Sequence, residues 1–130
     1  MSKADTVYII DDDQIFVYGI KKSIFKHNLC NNALEFTNAE TALQHLNQQI
    51  QYHVELPDII LLDINMPVMD GWDFLEEFIK LKPQMDKKIK IYMLSSSINE
   101  ADIARSKSYA DVSDYITKPI KIETLISLFA

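Results

Sequence analysis

At 130 residues, with 48% hydrophobic and 25% charged side chains, the chain can bury a sizeable core and is too apolar for disorder. A formal net charge of −6 disfavours a nucleic-acid surface, because phosphate backbones reward basic patches and none stands out. The one cysteine cannot form an internal disulfide, no apolar run reaches membrane-spanning length, and the first residues carry no apolar leader core. These features predict one domain over residues 1–130, in the cytoplasm, with no membrane or nucleic-acid partner.

Val7-Tyr8-Ile9-Ile10 runs without polar alternation into Asp11-Asp12-Asp13, as a strand buried on both faces does where it leaves the core. Gln14 to His27 then carries Phe16, Ile20 and Ile24 at helical spacing, with Lys21, Lys22 and Lys26 largely off that stripe, which predicts an amphipathic helix. Cys30 reads as a small buried hydrophobe. A short strand is expected over Ala33–Phe36, followed by a capping box in Thr37-Asn38-Ala39-Glu40. The helix it opens turns Ala42, Leu43 and Leu46 inward, and Asn47 to Glu55 reads as the helix end plus a loop.

The central stretch, Ile59-Ile60-Leu61-Leu62-Asp63, is a second fully apolar strand ending in an acid, with Pro67 and an Asp70-Gly71 turn close behind. Gly71 to Leu81 follows as a helix with Trp72, Leu75, Phe78 and Ile79 on one face, ended before Pro83. Trp72 is read as packing. Ile91–Leu94 is a strand that stops at Ser95, and Asn99–Tyr109 a helix with Ile103 and Ala104 inward. Val112–Thr117 is a short strand meeting Lys118-Pro119, and Ile122–Phe129 a last helix. His27, His45 and His53 lack metal-ligand spacing and are read as surface. Strands alternating with helices in this way specify an α/β fold with a parallel sheet and right-handed crossovers.

Asp11 and Asp12, Asp63, Ser95 and Lys118 each follow the apolar run of a different strand. In a parallel sheet those points share the carboxyl edge, where open α/β folds bind ligands. Two carboxylates ~5 Å apart repel by roughly 3 kcal/mol at an effective dielectric near 20, and one lysine cannot neutralise three acids. A hard divalent cation can, and carboxylates with carbonyl oxygen and water suit Mg²⁺. A carboxylate nucleophile, a cation, a hydroxyl and a lysine are the parts of a phosphoryl-transfer site.

With these residues in view, the chain resembles a receiver domain of two-component response regulators, one that stands alone like the chemotaxis receivers. The resemblance rests on Ile9-Ile10-Asp11-Asp12, on Leu62-Asp63-Ile64-Asn65-Met66-Pro67 with Met69-Asp70-Gly71, on Ser95, and on Tyr115-Ile116-Thr117-Lys118-Pro119. It implies a flavodoxin-like, doubly wound five-stranded parallel sheet of order 2-1-3-4-5 with five helices. It implies that Asp63 takes a phosphoryl group from a histidine kinase or a histidine phosphotransfer protein. Asp12, Asp63 and the main-chain carbonyl of Asn65 would hold Mg²⁺, with Asp11 acting mainly through water. Ser95 and Lys118 would serve the phosphoryl oxygens, Tyr115 would be the switch aromatic, and the bond into Pro119 would be cis. The response would be read by a downstream protein or a fused output domain rather than by catalysis on another substrate. Ile122, Leu125, Ile126 and Phe129 exceed what one short helix need bury, which makes their face a candidate for that contact, although most of them read as core. Asp111 stands where the family commonly has a glycine, and an acid there tolerates a left-handed backbone better than most residues.

The main alternative is a phosphatase of the haloacid dehalogenase type, which also forms an aspartyl phosphate with Mg²⁺. It would want a second acid two residues after the nucleophile, where this chain has Asn65, and a cap domain for which the length leaves no room. A receiver reduced to a binding module would have lost an acid or the lysine, and none is lost. A nucleotide-binding relative would need a glycine-rich loop, which a chain with only Gly19 and Gly71 cannot build.

Overall fold

A computed structural model describes residues 4–130. Met1, Ser2 and Lys3, part of the segment read above as free of a leader, lie outside them. Strand β1 (Ala4–Ile10) leads to α1 (Gln14–Lys26), β2 (Cys30–Phe36) to α2 (Ala39–Gln51), and β3 (Ile59–Asp63) to α3 (Gly71–Leu81). A short 3₁₀ turn at Lys82–Gln84 precedes β4 (Lys90–Ser95), α4 (Glu100–Lys107), β5 (Val112–Thr117) and α5 (Ile122–Leu128). Among the described residues, five strands form one sheet in the order β2-β1-β3-β4-β5, every neighbouring pair parallel. That is the fold the alternation of elements predicts, in the strand order the resemblance implies.

The central strands are apolar throughout because both faces are covered. Alternate side chains divide between two cores: Tyr8, Ile10, Ile60, Leu62, Ile91 and Met93 lie under α2 and α3. On the other face Val7, Ile9, Ile59, Leu61, Tyr92 and Leu94 lie under α1 and α5. Each fully buried aliphatic or aromatic side chain contributes roughly 1.5–3 kcal/mol, so β3 anchors the whole assembly. Its five residues are all buried, Asp63 included.

Several local expectations shift. In α1 the buried stripe is Val17, Ile20 and Ile24, and Phe16 stays half-buried beside the sheet's carboxyl edge. One helical residue spans about 100°, so two adjacent apolar residues compete for one stripe and the pattern alone does not choose. Strand β2 begins at Cys30, which is buried as a small hydrophobe. Helix α2 is capped by Asn38, whose Oδ1 accepts from the Thr41 amide at 2.8 Å, rather than by a box opening at Thr37. It continues through Gln51 and gives way to a loop from Tyr52, so Asn47 to Glu55 is the helix end plus a loop, as expected.

His45 is not a surface residue. Helix α2 turns it onto the edge of the sheet, where its ring lies 5.6 Å from that of Tyr8 and 5.5 Å from that of Phe36. His27 and His53 are exposed as expected, and Trp72 packs, stacked on Tyr109 with ring centroids 5.9 Å apart. Helix α4 is shorter than predicted, and Ala104 faces solvent while Ser106 is buried. Ser106 tolerates that position because its hydroxyl donates back to the Ile103 carbonyl at 2.7 Å. Asp111 has no left-handed backbone, since the positive φ angles among the described residues fall at Asn28, His53 and Val68. It pairs instead with Lys82. On the last helix Leu125 and Phe129 are core, whereas Ile122 and Ile126 are partly exposed.

Candidate functional site

The carboxyl edge of the sheet gathers the polar residues that end four strands. Backbone bonds fix the strand ends to one another. The Ile64 amide donates to the Leu94 carbonyl at 2.9 Å, and the Lys118 amide to the Ser95 carbonyl at 2.7 Å. Asp11, Asp63 and Ser95 are buried, while Asp12 and Asn65 face solvent at the rim. Lys118 enters from the end of β5, and its bond to Pro119 is cis.

Lys118 Nζ donates to Asp11 Oδ2 at 2.9 Å and lies 3.6 Å from Asp63 Oδ1. Asp11 Oδ1 accepts from the Asp13 amide at 2.9 Å, and Asp13 in turn caps α1 by accepting from the Phe16 amide at 3.1 Å. The acid run after β1 therefore divides its work. Asp11 pairs the lysine, Asp13 starts the helix, and Asp12 is left free at the rim.

Oxygen atoms of Asp11, Asp12 and Asp63 all lie within 4.8 Å of one another. Burial pushes the Asp63 carboxyl up to about 6, helped by the charges of Asp11 and Asp12, while Lys118 and the Asn65 amide pull the other way. Burial also works against the charge of Lys118, but its hydrogen bond to Asp11 and the charges of Asp11, Asp63 and Asp13 outweigh that and hold its pKa above the ordinary value. Three hard oxygen donors facing one lysine fit a divalent cation in donor type and in charge.

The loop from β3 to α3 is shaped around this point. Gly71 donates to the Ile64 carbonyl at 2.9 Å, and a Cβ on it would stand 2.7 Å from the Asp63 carbonyl oxygen, so the position admits only glycine without moving backbone. Asp70 and Asp73 close a capping box at the head of α3. Val68 has φ 68°, strained for a β-branched residue, in a tight turn closed by the Met69 amide on the Pro67 carbonyl at 2.8 Å. Strain of this kind collects where backbone is held for a purpose.

Ser95 Oγ accepts from the Ser97 amide at 3.2 Å, and Tyr115 Oη donates to the Ser97 carbonyl at 2.8 Å. The serine at the site and the tyrosine on the far strand thus hold the two sides of one peptide segment. The structure brings Asp11, Asp12, Asp63 and Lys118 together, places Ser95 and Asn65 at the same sheet edge, and links Tyr115 to Ser95 only through Ser97. It adds Phe16, whose ring lies beneath Lys118 Nζ, 4.5 Å from ring centroid to nitrogen. Nothing in the sequence separates that role from a place in the core stripe.

A buried acid among acids, with a lysine from the last strand beside it, has the parts of a phosphoryl acceptor. The family model of the response regulator receiver domain matches residues 7–130, and the chain belongs to that family. Its role is phosphoreceiver signalling in a two-component system. The chain is 31% identical to the response regulator Rcp1 of Synechocystis over 118 residues, covering 90% of this chain and 76% of Rcp1. It spans 23% of the transcriptional regulator NtrC of Proteus hauseri, at 26% identity over 94% of its own length. A two-component response regulator from Cytophaga hutchinsonii superposes with a TM-score of 0.88 at 30% identity, over 98% of this chain and 95% of that one. A Mn²⁺-bound form of Rcp1 superposes with a TM-score of 0.75 at 26% identity, over 95% and 88%. The phosphatase alternative finds no support among these relatives.

Proposed function

We propose that Asp63 is the phosphorylated residue and that the chain, as one receiver domain, acts in the cytoplasm as a switch rather than as an enzyme on other substrates. One observation carries the reading. Asp63 is buried at the end of the most buried strand, among two further acids, with a single lysine nearby. A purely structural acid would have been given enough donors to compensate its charge.

In the step, an Asp63 carboxylate oxygen attacks phosphorus, the phosphorus–nitrogen bond of a phosphohistidine breaks, and the nitrogen keeps the bonding pair. Asp63 must be ionised to attack. Lys118, held 3.6 Å away, is placed to leave Asp11 and pair with the new phosphoryl oxygens. The buried Ser95 hydroxyl, whose oxygen accepts from the Ser97 amide, keeps its own proton to donate to the same group. Asp12, Asp63 and the Asn65 carbonyl are the residues assigned to Mg²⁺, with Asp11 acting through water. The cation would offset the charge of the acids and of the transferred group. The acid cluster supports this assignment, as does the Mn²⁺-bound relative.

The donor is a histidine kinase or a histidine phosphotransfer protein. The outward face of α1, at the rim of the site, suits its docking. Ile15 is 86% exposed, and Tyr18 and Phe25 continue the same apolar stripe between Lys21 and Lys22. Downstream, a shift of Ser95 would release Ser97 and with it Tyr115, changing the face built by α4, β5 and α5, where Ile122 and Ile126 are partly exposed. A downstream protein or a fused output domain would read that face. Among the described residues no helix is long and apolar enough to cross a membrane.

Intact mass after incubation with phosphoramidate and Mg²⁺ tests the assignment. Wild type is expected to gain one phosphoryl group that maps to Asp63, and Asp63→Asn to gain none there. Label on Ser95, or label independent of the metal, would overturn the reading.

A further inference from the structure

The ammonium of Lys118 has three N–H groups and two carboxylate neighbours. One N–H reaches Asp11 at 2.9 Å, and the nearest Asp63 oxygen, at 3.6 Å, is an ionic contact without a full hydrogen bond. A third side faces the ring of Phe16, with nitrogen 4.5 Å from the centroid, inside the range where an aromatic face attracts a cation. The lysine side chain is 12% exposed, so little water reaches it. Phe16 itself is held from below, because its amide is the one capped by Asp13. The acid run that builds the site therefore also fixes the ring beneath the lysine.

We propose that Phe16 is a positioning residue for Lys118, its ring forming a neutral, attractive floor that keeps the ammonium between Asp11 and Asp63. The charged groups that share this space are Asp11, Asp12, Asp13 and Asp63. A further acid in place of the ring would bind the lysine harder and hold it back from the phosphoryl group. An aliphatic residue would fill the volume without attracting the charge. An aromatic face does what neither can, because it steadies the ammonium yet offers no competing full charge, so the lysine turns from Asp11 to the phosphoryl oxygens without leaving its support. The argument rests on the reading that Asp63 is the acceptor.

The test compares wild type with Phe16→Leu and Phe16→Tyr. In the metal-free protein, NMR should show the Lys118 side-chain protons nearest nitrogen shifted upfield by the ring in wild type and Phe16→Tyr, and back at ordinary values in Phe16→Leu. With phosphoramidate and Mg²⁺, Phe16→Leu should label Asp63 about tenfold more slowly, through the rate at saturating donor rather than the donor concentration needed, and Phe16→Tyr should recover most of the rate. Equal rates in all three, with Asp63 labelled normally, would overturn the role of Phe16 and leave the acceptor assignment standing. Equal slowing in the leucine and tyrosine variants would also overturn it, since it would mark a packing defect. Absence of label on Asp63 in wild type would overturn both.

Discussion

Asp58 and Asp63 stand at opposite ends of the same buried strand, and the fold treats them in opposite ways. Before β3, Asp58 Oδ2 accepts from the amides of Asp5 at 2.7 Å and Thr6 at 3.2 Å, and Oδ1 pairs with Lys87 at 2.6 Å. Burial alone would raise its pKa, but those donors and the lysine charge bring it below the ordinary value. At the other end Asp63 is more deeply buried, faces two acids, and is pushed up to about 6. Each aspartate belongs to a group of three acids close enough to share an ion, Asp5 and Glu55 at one end and Asp11 and Asp12 at the other. The count of acids is the same. The difference lies in what compensates them: at the amino edge backbone amides and a lysine complete a joint between strands, and at the carboxyl edge charge is left over for a cation and a phosphoryl group to complete.

Cation binding should separate the two ends most strongly. Removing a partner that only orients a metal ligand commonly lowers affinity 10–100-fold, so loss of a direct ligand should lower it at least about that much. Asp12→Ala is accordingly expected to weaken Mg²⁺ binding by calorimetry more than Asp11→Ala, and Asp58→Ala to leave it unchanged. Equal affinity in Asp12→Ala and wild type would remove Asp12 from the ligand set.

Stability should then move in opposite directions. Asp63 holds its proton more tightly folded than unfolded, so its favourable contribution is present below about pH 4 and is lost as pH rises through about 6. Above that, ionised Asp63 works against folding in the metal-free protein, and Asp63→Asn should stabilise it at pH 7.5 by roughly 1–3 kcal/mol. Asp58 has a lowered pKa, so its contribution is present above the ordinary carboxylate value and is lost as acid protonates it. Asp58→Ala leaves two amides and Lys87 without their acceptor and should destabilise by about 1–3 kcal/mol. Urea unfolding at pH 7.5 checks both, and a matching sign in the two variants would erase the contrast.

A smaller effect is expected at Tyr115. Tyr115→Phe loses one hydrogen bond to Ser97, about 0.5–1.5 kcal/mol, and should loosen the segment between β4 and α4. Amide exchange at Ser96 to Asn99 is the readout, and unchanged protection there would count against a Ser95–Tyr115 linkage.

Most of this was legible in the residues because a parallel sheet leaves few choices. Runs such as Ile59-Ile60-Leu61-Leu62 must be buried on both faces, and the polar residue ending each run must then lie at the carboxyl edge. Strand order came with the family resemblance, and the structure agrees. What escaped depends on helical phase and on contacts across sequence. Phe16 and Val17 are adjacent apolar residues, and only the packed helix decides which enters the core and which lies under Lys118. His45 looked like a surface residue because the aromatic neighbours that cover it, Tyr8 and Phe36, belong to other elements. Ser106 entered the interior of α4 by bonding its own helix, which hydrophobic patterning cannot register. The division of Asp11, Asp12 and Asp63 from Asp58 was likewise invisible as composition, since it lies in which acids meet amides and lysine.

The account turns on Asp63 being an acid whose charge the fold leaves uncompensated. Titration of the aspartate side-chain carboxyl carbons by NMR, in metal-free wild type, measures this directly. Asp63 should titrate near pH 6 and Asp58 below the ordinary value of 3.8. If Asp63 titrates at or below the ordinary value in the absence of any cation, its charge is already compensated, and the contrast between the two ends of β3 is contradicted.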